Sequence, residues 1–146
     1  MYGKGKGAVS ARAIKVEDID RVTGYNPSQY KGYGNEKTYT LTDGTTTTLK
    51  STYYFYYISD YLAQGTKAYD MLCGIKNYEL ASISIDTENS SYANFSLRAV
   101  YDRYISGSVL YRTDGYATWN NANTRAVVYL ESDVQLQKNS DTWKIL

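Results

Sequence analysis

The chain has 146 residues, a length typical of one domain that buries about two-thirds of its unfolded surface. Sixteen Lys and Arg balance fifteen Asp and Glu, and the net charge of +1 argues against a nucleic-acid partner. The sequence contains no histidine and one cysteine, which excludes Ser-His and Cys-His catalytic pairs and an internal disulfide. We therefore predict one non-enzymatic domain over residues 1–146, without a cofactor or a metal site.

The longest apolar run, Tyr53 to Ile58, is too short to cross a bilayer, so this segment is not expected to insert into a membrane. The start, Met1 to Gly7, lacks the apolar core of a signal peptide. Either the chain is cytoplasmic, or it is a segment cut from a longer protein whose targeting and anchoring sequences lie elsewhere. The Gly/Lys-rich start favours the second interpretation.

The first predicted element is a short amphipathic helix over residues 15–22. Ile14, Val16, Ile19 and Val22 fall near one helical face, and Gly24 provides a stop. The following Tyr25-Asn26-Pro27-Ser28 predicts a turn.

A β-hairpin and an aromatic strand come next. Glu36 to Leu41 alternates as an edge strand, Asp43-Gly44 turns the chain, and the threonines at 45–48 continue as a strand or loop. The run from Tyr53 to Ile58 could form a stacking platform for sugars or bases. A strand with rings on both faces is the favoured interpretation.

Gln64 to Cys73 predicts the second short helix, with Gly74 as its C-cap and Cys73 as a buried small apolar residue. No helical periodicity follows, and Lys138 to Leu146 predicts a closing edge strand or a linker. The fold class is therefore α+β, with two short helices and a mostly antiparallel sheet in a long, loop-rich C-terminal half.

Between Tyr78 and Leu130, short apolar fragments alternate with segments rich in Tyr, Ser, Asn, Trp and Arg, the residues that recognition loops favour. Ordinary polar loops of a β-rich domain are the alternative. The apolar fragments are expected to supply core residues, namely Phe95, Leu97, Val100, Val109, Leu110, Val127, Val128 and Leu130. The segments between them are expected to form one exposed face. The candidate ligand-binding residues are Ile83, Ser84, Asp86, Thr87, Tyr101, Asp102, Tyr104, Tyr111, Arg112, Asp114, Tyr116, Thr118, Trp119, Asn120, Asn121 and Asn123.

Several fragments in this order resemble the variable proteins of diversity-generating retroelements. They include Arg12 to Ile14, Val22 to Pro27, Ala68 to Leu72, Leu80 to Ser82 and Arg125 to Val128. The resemblance covers nearly the whole chain and is to pilin-like or surface proteins of gut bacteria. It implies a C-type-lectin-like fold of the formylglycine-generating-enzyme type, used for display without the enzyme's chemistry.

In such proteins an error-prone reverse transcriptase changes template adenines, so an Asn codon yields a set that includes Tyr, Ser, Asp, Thr, Ile, Arg and Ala. Most candidate residues from Tyr101 onward belong to this set, whereas Glu88 and Trp119 require another origin. Two positions depart from the family pattern: Glu79 stands where an aromatic residue is expected, and Arg103 where a turn glycine is expected.

The resemblance implies a hypervariable ligand-binding domain, a receptor or adhesin, that is extracellular or on the cell surface or on a phage particle. Its partner would be a macromolecule, a protein or glycan on another cell, host or phage surface. The aromatic anchors would be Tyr101, Tyr104, Tyr111, Tyr116 and Trp119. Arg98 and Arg125 are expected to belong to the framework. The alternative function is a structural pilin or virion subunit that self-associates through its tyrosine-rich surface.

Overall fold

The computed structural model describes residues 8–117, 123–130, 133–140 and 142–145. This part of the chain is α+β, as predicted, with helices α1 (Val16–Thr23) and α2 (Lys67–Cys73) and short 3₁₀ turns at Pro27–Gln29 and Ile58–Asp60. The strands are β1 (Ala8–Ala13), β2 (Glu36–Thr40), β3 (Thr46–Lys50), β4 (Tyr56–Tyr57), β5 (Asn77–Asp86), β6 (Asn94–Tyr101), β7 (Tyr104–Arg112), β8 (Asn123–Thr124), β9 (Ala126–Leu130), β10 (Leu136–Asn139) and β11 (Thr142–Ile145).

A central sheet organises the fold, with strand order β4-β7-β6-β5-β8. The β4-β7-β6-β5 pairs are antiparallel, and β8 joins β5 in parallel. Three antiparallel pairs accompany this sheet: β1 with β9, β2 with β3, and β10 with β11. The predicted hairpin at residues 36–48 is therefore confirmed as β2–β3. The segment from Lys138 to Leu146, predicted as one closing edge strand or a linker, instead contains the end of β10 and β11, which pair with each other.

Helix α1 confirms the first predicted helix. It ends at Gly24, whose φ of 76° lies in the left-handed region that glycine adopts without strain. Val16 and Ile19 are buried, whereas Val22, which was predicted to lie near the same helical face, is 45% exposed.

An ion pair fixes the start of α1. Both carboxylate oxygens of Asp18 accept from the Arg12 guanidinium, at 2.6 and 2.7 Å, and Oδ2 also accepts from the backbone N–H of Lys15 at 2.9 Å. Arg12 in turn donates to the Tyr129 hydroxyl on β9. These contacts, led by the Arg12 hydrogen bonds, lower the pKa of Asp18 to about 2.

This pairing predicts a pH dependence of stability. Because the folded pKa of Asp18 lies below its unfolded value of 3.8, its contribution is present above about pH 4 and is lost as pH falls through about 2. Both groups contact solvent, so we expect only about 1 kcal/mol. Chemical denaturation between pH 7 and pH 2 should show that Asp18→Asn is less stable at pH 7 and loses less stability on acidification. Parallel curves for the two proteins would contradict the assignment.

The aromatic run at Tyr53 to Ile58 alternates as predicted, with Tyr54 and Tyr56 buried and Phe55 and Tyr57 exposed. Its regular strand is only β4, however, and a 3₁₀ turn follows at once. The predicted alternation of rings between the two faces is confirmed, but the regular strand covers only Tyr56–Tyr57 and is shorter than predicted.

The second helix is also shorter than predicted, since α2 begins after Thr66, whose side chain accepts from the Tyr69 N–H at 3.2 Å. Gly74 is its C-cap, as predicted. The Tyr78 hydroxyl donates to the Leu72 carbonyl at 2.8 Å, and the Arg125 guanidinium donates to the Met71 carbonyl. The expected framework role of Arg125 is thus explained by its bond to the end of this helix.

The core differs from the predicted one. Val100 is fully buried, but Leu110 is 39% exposed, and Phe95, Leu97, Val109, Val127 and Leu130 are only partly buried. The side chain of Val128 lies outside the described residues. The register explains Leu110: Phe95 and Ser96 pair with Tyr111 and Val109, so Leu110 is the extra residue of a bulge in β7. The core cluster comprises Ile14, Val16, Ile19, Tyr54, Tyr56, Ile58, Leu72, Tyr78, Leu80, Val100 and Ile105.

Polar groups are buried within this core. Asp20 accepts from the hydroxyls of Tyr54 and Tyr56, the latter at 2.8 Å, and burial raises its pKa above the usual range. Arg98 is 1% exposed; it donates to the Tyr54 carbonyl at 2.6 Å, and its guanidinium lies 4.4 Å from the centre of the Tyr54 ring. Arg98 is therefore a framework residue, as expected.

The hairpin turn between β6 and β7 contains backbone strain. Asp102 and Arg103 have φ angles of 39° and 77°, which lie in the left-handed region. In two-residue hairpin turns these positions are usually occupied by Asn, Asp or Gly. Arg103 thus occupies a position that glycine would adopt without strain.

We expect Arg103→Gly to raise the free energy of unfolding by about 0.5–1 kcal/mol. The left-handed conformation costs a residue with a Cβ about 1–2 kcal/mol, partly offset by the greater chain entropy of glycine. Thermal unfolding would show a higher midpoint. Arg103→Ala is the matched control, since it removes the side chain but keeps the Cβ. An equal gain from alanine would show that strain is not the cause.

Candidate ligand-binding surface

One side of the central sheet faces away from the core. Directly paired residues point to the same side of a sheet, and side chains alternate along each strand. The pairs Ile83–Leu97, Phe95–Tyr111, Tyr101–Tyr104 and Tyr104–Tyr57 therefore share one side, opposite Val100 and Ile105. We call it the outer face; it comprises Tyr57, Asn77, Glu79, Ile83, Ile85, Phe95, Leu97, Ala99, Tyr101, Tyr104, Ser106, Ser108 and Tyr111.

The outer face is mainly apolar and partly open to solvent. Ile83 is 73% exposed, Tyr57 50% and Tyr111 43%. The Tyr57 and Tyr104 rings lie 5.6 Å apart at one end, and the Phe95 and Tyr111 rings lie 6.1 Å apart at the other. Ala99 and Ser108 lie between these two pairs and are buried, so the exposed rings form two separate groups on the face. Exposed apolar groups of this kind are candidate interaction sites.

The outer face is long enough for a macromolecule. Tyr104 and Tyr111 are seven positions apart on β7, which corresponds to about 20 Å. Two aromatic groups at this separation cannot contact one small ligand, but a protein surface can cover both.

Tyr101 has a structural role on this face. Its hydroxyl is hydrogen-bonded to the Ser108 hydroxyl, although the Ala99–Ser106 pair lies between the two residues. The ring must therefore lie along the sheet over Ala99, which is fully buried. Tyr101 is thus less available to a ligand than the neighbouring rings.

A second cluster lies at the end of β7, on the other side of the sheet from Tyr111, because Tyr111 pairs with Phe95 and the next residue, Arg112, pairs with Asn94. The Arg112 guanidinium lies 3.4 Å from the centre of the Tyr92 ring and 4.9 Å from that of Tyr116, and its Nε donates to Asp114 at 3.1 Å. This contact lowers the pKa of Asp114. Tyr116 is 55% exposed, and its carbonyl accepts from the Arg112 N–H at 2.8 Å. Arg112, Asp114 and Tyr116 are thus brought together, whereas Tyr111 points to the outer face.

Two predicted site residues are misplaced. Residues 83–86, expected between framework fragments, belong to β5, where adjacent side chains point to opposite sides. Ile83 points outward, but Ser84 lies on the core side and is only 1% exposed. Thr87 is 5% exposed, and its backbone carbonyl accepts a hydrogen bond from the Tyr39 hydroxyl. Neither side chain can contact an external ligand, so both assignments are wrong.

Of the remaining candidate residues, two have described side chains and the others lie partly or wholly outside the described residues. Asp86 is half-buried and accepts from the Glu88 N–H and the Asn94 amide, at 2.9 and 3.3 Å. Asp102 is exposed in the hairpin turn. Asn123 begins β8 opposite Tyr78, with its side chain outside the described residues. Thr118, Trp119, Asn120 and Asn121 lie wholly outside them.

The sequence prediction missed two features. Tyr57 belongs to the outer face, and the alternation of the aromatic run contained that information. An open cleft of about 690 Å³ also lies between the segment Tyr30–Gly32, the start of β2 and the loop at Thr87 and Glu88. Residues 30–37 form it together with the loop at Thr87 and Glu88, which is about fifty positions later in the chain, so no local motif indicated it.

Within the described residues, no group of three or more His, Cys, Asp or Glu is arranged to hold a metal ion. None of the helices there has the length and apolar character needed to cross a membrane. No protein-family model matches the chain, and no match was found among curated proteins or solved structures.

Proposed function

We propose that this chain is a non-enzymatic recognition domain whose outer face binds a protein on another cell, host or phage surface. The observation that carries the proposal is the exposure of Ile83, Tyr57 and Tyr111 on one side of a sheet whose other side contributes Val100 and Ile105 to the core. Rigid aromatic side chains supply large contact areas at low entropic cost.

A protein ligand suits this face better than a glycan. Leu97 and Ile83 are aliphatic, and Glu79 is the charged member of the face. Sugars require several hydrogen-bonding groups for each ring, whereas apolar and tyrosine side chains dominate the centres of protein interfaces. We expect the partner to present an apolar patch.

The wider proposal is that the chain is a variable protein of a diversity-generating retroelement with a C-type-lectin-like fold, carried on a cell surface or a phage particle. The ordered framework fragments support it, together with the exposure of Asp102, Tyr111 and Tyr116, all reachable from an Asn codon. Sequencing the gene deeply in one bacterial population tests it. Substitutions should concentrate at codon adenines for these exposed residues. Substitutions spread evenly over the gene would contradict the proposal.

Binding can be tested with a labelled, oligomerised form of the domain applied to intact bacterial and host cells. We expect the double variant Ile83→Asp with Tyr111→Asp to bind at least tenfold more weakly, because each change places an unpaired charge at the centre of the contact. Leu136→Asp is the matched control, since Leu136 is 45% exposed on β10. Equal losses in both proteins, or none in the double variant, would contradict the proposal.

Self-association in a pilin or virion is the second candidate function. It is supported by exposed apolar side chains that do not belong to the outer face: Phe55 is 46% exposed, Tyr61 42% and Met71 56%. A subunit of a filament needs more than one such contact surface. Sedimentation over a hundredfold range of concentration distinguishes the two functions. Concentration-dependent assembly abolished by Phe55→Asp supports the structural role, and a monomer throughout supports display.

A further inference from the structure

The cleft described above is separate from the outer face and is built from polar side chains. Tyr30 contributes from one wall, Asn35 and Lys37 from the start of β2, and Glu88 from the β5–β6 loop. Its volume of about 690 Å³ lies within the range of small-ligand sites, about 300–1,000 Å³.

Two charged groups in this cleft are held in place by other residues. The Tyr30 hydroxyl donates to Glu88 Oε1 at 3.0 Å, which leaves the second carboxylate oxygen to accept from a ligand. Lys37 Nζ donates to the Asn89 carbonyl at 3.2 Å and retains two further N–H groups. An oriented acceptor and an oriented donor thus face one space, and such preorganisation reduces the entropic cost of binding.

The charges of the cleft cancel. Lys31 and Lys37 are matched by Glu36 and Glu88, and the Asn35 amide and the Tyr30 hydroxyl add neutral hydrogen-bonding groups. No surplus of positive charge favours a phosphate, and the lining includes no aliphatic side chain that would favour an apolar ligand. The chemistry fits a neutral molecule with many hydroxyl groups, each of which both donates and accepts.

We propose that this cleft is a binding site for a neutral saccharide, one or two rings in size, in which Glu88 accepts from sugar hydroxyls and Lys37 donates to them. This site is separate from the outer face, so the saccharide proposal and the proposed function can be tested independently of each other. It would give the domain a calcium-independent contact with a glycan in addition to its protein contact.

Gly32 offers a way to close the site without unfolding the protein. A Cβ at this position would lie 3.1 Å from Glu88 Oε1 and 3.5 Å from Tyr30 Cε1. Its backbone does not have the positive φ that reserves a position for glycine, and the closest atom is the end of a flexible side chain. Gly32→Val should therefore push the Glu88 carboxylate away from Tyr30 while the fold is retained.

The experiment is a titration of the ¹⁵N-labelled protein with maltose, cellobiose, lactose and N,N′-diacetylchitobiose. Binding is monitored through the chemical shifts of the backbone amides in NMR spectra. The peptide acetyl-Lys-Glu-amide is titrated separately. We expect at least one disaccharide to shift the amides of Gly32, Lys37 and Glu88 saturably. Glu88→Gln and Gly32→Val should each weaken this binding at least tenfold, because a hydrogen bond to a charged group is lost. Lys138→Gln, on β10, should leave it unchanged.

Three results would overturn the saccharide site. The first is the absence of saturable shifts with all four disaccharides. The second is sugar binding that persists in both Glu88→Gln and Gly32→Val. The third is saturable binding of the peptide alone, which would assign the cleft to charged peptide side chains.

Discussion

Replacing Arg98 with alanine is expected to lower the free energy of unfolding by about 3–5 kcal/mol. The side chain is fully enclosed, its Nη2 donates to the Tyr54 carbonyl, and its guanidinium stacks on the Tyr54 ring. Alanine would leave a cavity beside this ring and remove the hydrogen-bond donor of a buried carbonyl. Urea denaturation monitored by tyrosine fluorescence and circular dichroism measures the change.

Arg98→Met separates the role of volume from that of charge. Nε and Nη1 of Arg98 have no hydrogen-bond partner among the described residues, so the buried cation is incompletely compensated. Methionine fills much of the same volume without that cost. We expect Arg98→Met to be at least about 2 kcal/mol more stable than Arg98→Ala. Equal losses from both variants would show that the charge, and not the volume, is what the core requires.

The second large effect is expected at Tyr78, where alanine should cost about 3–5 kcal/mol. Tyr78 is fully buried, its hydroxyl donates to the Leu72 carbonyl, and the Arg125 guanidinium lies 5.0 Å from its ring centre. The alanine variant loses both the packing of the ring and the hydrogen bond that the hydroxyl donates to the C-terminal end of α2. Burial also raises the pKa of Tyr78 to about 12, so the native tyrosine should remain protonated at pH 11 in the folded state.

Tyr111→Ala is the matched comparison, because it removes the same side chain from the outer face. Tyr111 is 43% exposed, and within the part of the chain that the structure describes its ring has one tilted contact, with Phe95. We expect a loss below about 1 kcal/mol. If Tyr111→Ala were as destabilising as Tyr78→Ala, Tyr111 would be a core residue and unsuitable for display.

The parts of the fold that local sequence encodes were predictable. Apolar spacing and Gly24 indicated α1, and the Asp43-Gly44 turn between alternating residues indicated the β2–β3 hairpin. Both elements depend on neighbours close in the chain. The pattern of buried and exposed rings at residues 53–58 was also local.

Features that depend on distant partners were not predictable. Tyr54 and Tyr56 are core residues because their hydroxyls find Asp20 on α1, more than thirty positions earlier. Ser84 was misplaced because a shift of one residue along a strand reverses the side to which a side chain points. The β7 bulge, which exposes Leu110, is visible only from the register with β6.

The most direct test of the account is a pair of display libraries of the domain. One randomises Tyr57, Ile83, Tyr104 and Tyr111 among the residues reachable from an Asn codon, and the other randomises Tyr78, Leu80, Val100 and Ile105 in the same way. Protease resistance on the display surface reports folding in each clone. We expect that most clones of the first library stay folded, that few of the second do, and that the first yields binders to unrelated protein targets. Comparable loss of folding in the two libraries would contradict the claim that the outer face is a display surface.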